Sequence, residues 1–212
     1  SAFILDTKSL SVVESKNKVG LRTCLMGHFK LNNVHVDQLR MLGKEGSGIL
    51  IFSKAMTWER IGLSAIHIGT MERLLEKAIS HTKQRISGGK QISKYQAISH
   101  ELANLKAQLT AVKWSTYYAA WCLEIKKEAD MYASIAKLNV SELYKKSSSM
   151  LMQIFGAESF TLNNDISRTY RDAVASTLYS GSSEGKGSPF NEVELYRSPN
   201  PLTTIFFDPL ET

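Results

Sequence analysis

Proline is nearly absent from this 212-residue chain: Pro189, Pro199, Pro201 and Pro209 all fall in the last two dozen residues. Between residues 90 and 155 there is neither proline nor glycine. These two residues interrupt regular structure through backbone restriction and backbone freedom, so a stretch without them that is far longer than any strand has to be filled by helices. Cysteine is also scarce. Cys24 and Cys122 are too few and too far apart in sequence for a disulfide scaffold or a thiolate zinc site, which points to a reducing, cytoplasmic setting. No apolar run approaches the roughly 18–20 residues of a membrane span, so no membrane partner is expected. The chain opens at Ser1 and enters apolar residues 2–5 without the basic, apolar and small-residue succession of a signal peptide, and a missing upstream segment is expected. His28, His35, His67, His81 and His100 show no HxxxH step or other metal spacing, so they read as ordinary surface or core histidines and no metal site is expected. Walker, GxGxxG and GxSxG signatures are absent, which excludes the nucleotide-binding and hydrolase folds that depend on them.

What is present describes a globular chain of one or two domains, 43% hydrophobic and 22% charged. The formal charge of +6 suits nucleic acid, a phosphate-rich cofactor or an acidic partner. Nucleic acid is disfavoured, because Lys126 and Lys127 sit between Glu124 and Glu128 rather than in a dense basic run with interleaved aromatics.

The hydrophobic spacing predicts four helices. The first runs over 49–83 with a stripe at Ile61, Ala65, Ile68, Leu75 and Ile79. The second carries Ile98, Leu102, Leu105, Leu109, Val112, Thr116, Ala119 and Leu123 at alternating steps of four and three, the seam of a bundle helix. A third covers 131–155 with Ile135, Leu138, Leu143, Leu151 and Ile154 inward and Gly156 as its C-terminal cap. The fourth covers 164–178. The first forty residues differ, with Thr7, Ser9, Ser11, Ser15 and Asn17 punctuating short β-type runs. The expected fold is therefore mainly α: an antiparallel four-helix bundle preceded by a few strands that complete a partial β-domain. The boundaries are 1–42 for the β part, 43–184 for the bundle and 185–212 for a proline-containing tail. Within the first helix Glu59 precedes Arg60 among mostly apolar positions. A carboxylate withdrawn from water there suits proton abstraction, and the alternative is an ion pair on the helix surface.

Read together, these pieces resemble the C-terminal half of the acyl-CoA dehydrogenase family of flavoproteins, over nearly the whole chain to Glu184. The opening residues 1–6, SAFILD, are similar to the family's TAFLV strand, and Lys18, Gly20, Leu21 and Arg22 to its KxGxR. Phe29, Val34, Val36, Leu42, Gly43, Glu45 and Gly46 resemble its FxxVxVPxxxLLGxxGxG passage. Arg85, Gly89, Ile92, Gln96, Ala97 and Ile98 are similar to RxxFGxxIxxxQAI, and Gln153 with Gly156 to QxxGG. Arg171, Asp172, Tyr179, Gly181, Ser182 and Glu184 resemble RDxxxxxIYEGTxE. Each motif is short, and six in this order are specific.

The resemblance implies an FAD enzyme of fatty acid metabolism that oxidises an acyl thioester, on CoA or on an acyl carrier protein. In such an enzyme a carboxylate removes the α-proton while the β-hydride passes to flavin N5. Two departures stand out. Ser180 occupies the place of the base, the Glu of YEGT, and cannot take that proton. A minority subfamily resembling isovaleryl-CoA dehydrogenase instead carries the base on the first bundle helix, immediately before an Arg, which assigns catalysis to Glu59 and substrate binding to Arg60. The resemblance further implies FAD contacts from Arg85, Gln96, Gln153, Gly156, Ser182 and Glu184, some of them reaching the cofactor of a neighbouring subunit. Gly88 replaces the Phe of RxxFG and Ala157 the second Gly of QxxGG, so packing on the adenosine moiety is expected to change. The implied partners are an N-terminal half or partner chain and further copies in a tetramer-like homo- or hetero-oligomer. The alternative is a helical scaffold or interaction subunit that has lost catalysis.

Overall fold

Four helices form the larger part of the described chain, two of them within the stretch free of glycine and proline. In the computed structural model they are α1 (Gly48–Gln84), α2 (Gln96–Glu124), α3 (Asp130–Phe155) and α4 (Asp165–Ser176). Short strands accompany them: β1 (Ala2–Phe3), β2 (Ser11–Ser15), β3 (Gly27–Lys30), β4 (Met41–Leu42), and the hairpin β5 (Ile86–Ser87) and β6 (Lys90–Gln91) between α1 and α2. The structure describes residues 1–183 apart from Thr7, Ser9, Leu10 and Leu25. Glu184, the tail at 185–212 and the expected punctuation at Thr7 and Ser9 lie outside the described residues.

The chain divides into two compact units, which among the described residues comprise 1–18 with 22–56, and 19–21 with 57–183. In the first, β1 pairs antiparallel with β4 (Ala2 opposite Leu42, Phe3 opposite Met41). β2 pairs antiparallel with β3, with a bulge between Val12 and Glu14. The Gly46 N–H donates to Ser1 Oγ at 3.0 Å.

The second unit is built on one core shared by all four helices. Met71, Leu74 and Leu75 of α1, Leu105 and Leu109 of α2, Val140, Leu143 and Leu151 of α3, and Ile166 and Ala173 of α4 belong to it. Each fully buried Leu or Ile stabilises the bundle by about 1.5–3 kcal/mol relative to exposure. The seam expected on α2 is present from Leu102 to Ala119. Its last buried residue is Cys122, with Leu123 half-buried, and beyond it the chain reverses, the Lys127 N–H donating to Cys122 O at 2.9 Å.

On α1 the expected stripe is corrected. Ala65 is exposed, Ile61 half-buried and Ile79 38% exposed. The buried face instead runs through Thr57, Arg60, Ser64, His67, Ile68, Met71, Leu74, Leu75, Ala78 and Thr82. Its first half is polar, so hydrophobic periodicity could not reveal it. On α3 Ile135 faces out, and beside the apolar core residues many inward positions are small or polar: Ala133, Ala136, Lys137, Ser141, Ser147 and Ser148. Small inward residues let neighbouring helices approach, and the hydroxyls bond back along the helix, as Ser141 Oγ does to Lys137 O at 2.7 Å. α3 ends at Gly156 as expected, and α4 begins at Asn164, whose side chain accepts from the Ile166 N–H at 2.8 Å.

Residues 19–21 join this unit through a contact between two of the sequence motifs. The Leu21 N–H donates to Asp172 Oδ1 at 2.6 Å. A Cβ on Gly20 would stand 2.4 Å from Arg171 O, so only glycine permits this approach. Among the described residues, no helix is long and apolar enough to cross a membrane.

Candidate active site and a separate cleft

Beyond α4 the chain makes a turn at Tyr179, Ser180 and Gly181, with Ser180 at φ +56° and Gly181 at φ +89°. Three buried side chains of α1 and α3 hold three successive residues of this turn. Tyr179 Oη lies 2.5 Å from His67 Nε2. Arg60 Nε donates to Ser180 O at 3.3 Å, and Lys137 Nζ to Gly181 O at 2.8 Å. Arg60 also donates from Nη1 to Ser134 Oγ at 2.9 Å, joining α1 to α3. Thr57 Oγ1 donates to the Asp130 carboxylate at the start of α3.

The electrostatics fix the protonation states. Burial, and secondarily the charge of Lys137, lowers the His67 pKa from 6.5 to about 4, so the imidazole is neutral. Burial pushes the Tyr179 phenol up to about 12, so it keeps its proton, and the direction of its hydrogen bond with Nε2 follows the imidazole tautomer. His67 stacks on Tyr144, ring centroids 4.5 Å apart, and burial pushes that phenol too up to about 12.

The turn presents the Ser180 hydroxyl to Glu59, Oγ donating to Oε1 at 2.8 Å. Consecutive helix residues point about 100° apart, so Arg60 turns into the bundle while Glu59 faces out. Glu59 is exposed, which corrects the expectation of a carboxylate withdrawn from water by this unit's own side chains. Chemically the arrangement is an accessible carboxylate with one oxygen held by a hydroxyl donor.

At the junction of the β5–β6 hairpin with the ends of α1 and α3 lies a cleft of about 480 Å³. Arg85, Gln153 and Gly156 all line it, together with His81, Tyr95 and Ala157. Gln96 is exposed at the start of α2 and is not among the lining residues. Ser182 is half-buried beside the Tyr179–Gly181 turn, and Glu184 lies outside the described residues. Gly88 has a physical reason to differ from phenylalanine. It sits at φ +55°, and a Cβ there would stand 2.6 Å from Tyr95 Oη. That hydroxyl donates to Ser87 O at 3.0 Å, so Tyr95 fills the space beside Gly88, and Phe155, stacked on His81, is a second aromatic ring lining the cleft.

His67, Ser134 and Lys137 were not singled out by sequence reasoning. The available signal was polar residues recurring at helical spacing on otherwise inward faces, Thr57, Arg60, Ser64 and His67 on α1 and Ser134, Lys137 and Ser141 on α3. Among the described residues, no group of three His, Cys, Asp or Glu side chains could hold a metal ion.

Residues 46–187 match the family model described as acyl-CoA dehydrogenase, C-terminal domain. The chain is 34% identical over 186 residues to an L-prolyl-[peptidyl-carrier protein] dehydrogenase of Pseudomonas fluorescens, covering 87% of this chain and 49% of that protein. It superposes on butyryl-CoA dehydrogenase from Megasphaera elsdenii with a TM-score of 0.83 at 31% identity, covering 87% of this chain and 49% of the other. The structure of PigA with FAD and proline gives a TM-score of 0.85 at 26% identity, covering 92% and 52%. The chain thus spans about half the length of the curated relatives it matches. With most of its residues matched by one family model, and with the bundle, the Tyr179–Gly181 turn and the Arg85 cleft in place, the chain belongs to the acyl-CoA dehydrogenase family, of which it carries the C-terminal helical domain.

Proposed function

We propose that this chain forms the C-terminal part of an FAD-dependent acyl-thioester dehydrogenase that desaturates an acyl group at its α,β bond, with Glu59 as the base. The observation that carries this reading is the 2.8 Å contact between Ser180 Oγ and Glu59 Oε1. Most family members resemble one another in carrying the base on the turn, and a minority carry it on the first bundle helix. Here the helix carboxylate reaches the turn position itself, so a base at either place meets the same region of substrate.

Glu59 accepts the α-proton, for which an accessible carboxylate with a fixed oxygen is suited. Arg60 is bonded to Ser134 and to Ser180 O, so it supports the turn as well as bringing positive charge near an acyl thioester. The flavin, when bound, supplies the acceptor for the β-hydride. Arg85 and Gln153 offer a guanidinium and an amide donor along one cleft, and Lys90 Nζ lies 4.2 Å over the ring of Tyr95, a donor set that fits the pyrophosphate of FAD. Ser182 and, beyond the described residues, Glu184 would act on the cofactor near Glu59, while Arg85 and its cleft, at the far end of α1 and about 35–40 Å from Glu59, would meet the cofactor of a neighbouring copy, and Gln96 would reach it only from an exposed position. Residues 1–42 belong in this reading to the end of the family's middle β-domain. An N-terminal half, in the same chain or as a partner, completes the pocket, and further copies complete a tetramer-like assembly. The substrate is an acyl-CoA or a carrier-borne acyl group, and the setting is cytoplasmic. The net charge of +6 suits the phosphates of either. An inactive scaffold is the second reading. Its support, the replaced Phe and Gly, is weakened by the aromatic side chains of Tyr95 and Phe155 that line the cleft.

The test is spectroscopic. Produced together with a family N-terminal half, the protein should carry a flavin band in the blue that bleaches with an acyl thioester. Arg85→Ala should lose flavin on dilution with its melting temperature unchanged, because an exposed guanidinium contributes little to the bundle. A parental complex that neither retains nor takes up FAD would overturn the reading.

A further inference from the structure

Ser180 does more in this geometry than leave a base position empty. We propose that it is a positioning residue for Glu59: its hydroxyl occupies Oε1 and thereby orients Oε2 toward the substrate proton, and His67, Arg60 and Lys137 form a clamp that fixes Ser180 in place. This inference rests on the reading of Glu59 as the base and deepens it.

Three features of the unit carry it. The first is the bond itself, Ser180 Oγ to Glu59 Oε1 at 2.8 Å, between a turn and a helix 121 residues apart in sequence. A freely rotating glutamate at the helix surface would distribute its carboxylate over several rotamers, and a base acts well only when its oxygen is held within hydrogen-bond reach of the proton it takes. The second is backbone conformation. Ser180 stands at φ +56°, a region uncommon for residues other than glycine, so the turn is held there by its surroundings.

The third is the nature of those surroundings. Tyr179, Ser180 and Gly181 are each bonded by a different buried side chain, His67, Arg60 and Lys137, at 2.5, 3.3 and 2.8 Å. Those three residues are only 8%, 7% and 3% exposed. Burying two cations and an imidazole is costly unless each is well bonded. Their convergence on one three-residue turn therefore marks the turn's position as what the bundle maintains. Arg60 ties the two parts together, since it neighbours Glu59 on α1 and holds the carbonyl of Ser180.

The choice of variants follows from the backbone. Threonine would keep the hydroxyl, but a β-branched residue is strained at φ +56°. Glycine and asparagine both accept that conformation, and of the two only asparagine retains a side-chain donor for Glu59. In the flavin-loaded protein assembled with its N-terminal half, Ser180→Gly should lower kcat about tenfold, the scale of one lost hydrogen bond to a charged group, with KM, flavin content and melting temperature unchanged. Ser180→Asn should recover most of that loss. A readout independent of turnover is the 13C resonance of the Glu59 carboxyl in the flavin-free full chain, which should move in Ser180→Gly and return toward its parental position in Ser180→Asn.

Glu59→Gln is measured alongside. If it is inactive while Ser180→Gly turns over at the parental rate, the positioning role is overturned and the base assignment stands. If Glu59→Gln itself keeps the parental rate, both are overturned. Equal losses in Ser180→Gly and Ser180→Asn, or an unmoved Glu59 resonance, would show that the turn matters only as structure and would overturn the positioning role.

Discussion

The two units of this chain use opposite means of ordering a backbone. Among the described residues, 1–18 and 22–56 hold two strand pairs whose members are two to five residues long, with Phe3 48% and Phe29 39% exposed. Residues 57–183 hold helices α2, α3 and α4 of 29, 26 and 12 residues together with most of α1, around side chains such as Met71, Leu74, Leu109 and Leu151 at 1% exposure. Isolated two-stranded pairs are marginal in water, and their open edges recruit other chain, whereas a shared apolar core makes a bundle cooperative. The difference teaches that stability resides in the second unit, and that the candidate site, clamped to α1 and α3, inherits its rigidity from there.

The contrast is sharpened first by core truncation. Leu109→Ala should destabilise the bundle by about 2–5 kcal/mol, measured as a lower midpoint in urea. An effect under about 1 kcal/mol would mean that the core is not organised around that position.

Acidification comes next. His67 is held neutral, its pKa lowered from 6.5 to about 4. Between these values the unfolded chain binds more protons than the folded one, so the stability this residue contributes is complete above pH 6.5 and is lost as pH falls toward 4. The loss has an upper bound of about 3 kcal/mol. It should appear as a steeper acid decline in bundle stability in the parent than in His67→Gln, which keeps an acceptor for Tyr179 but does not titrate. Identical acid profiles would place the imidazole in contact with water.

The smallest effect is expected in the first unit. Leu39 is 93% exposed, and Leu39→Ala should change stability by no more than about 0.5 kcal/mol. A loss comparable to that of Leu109→Ala would break the contrast between the units.

How much of this was legible in the sequence depended on whether inward residues were apolar. The seam of α2 could be read because Leu102, Leu105, Leu109 and Val112 are both periodic and buried. The first half of α1 misled, because Thr57, Arg60, Ser64 and His67 point inward while Trp58 and Ile66 are 67% and 63% exposed. A stripe of polar side chains facing a core departs from the pattern that specifies the fold, and such departures gather at functional sites. Glu59 could be singled out because a motif resemblance supplied its role. Its contact with Ser180 could not, since a turn at φ +56° and a helix surface meet only after the bundle has formed. The exchange at Gly88 was visible as the loss of a phenylalanine. The Tyr95 hydroxyl that fills the space beside Gly88 became visible only with the hairpin's backbone.

The central claim is that Glu59 removes the α-proton of an acyl thioester, and flavin bleaching under single-turnover conditions tests it most directly. Glu59→Gln preserves size and the ability to accept from Ser180 while abolishing basicity. In a complex with parental flavin content and melting temperature, the bleaching rate should fall by at least ~10²- to 10⁴-fold. Bleaching at the parental rate in that variant would contradict the account and place the base outside this chain.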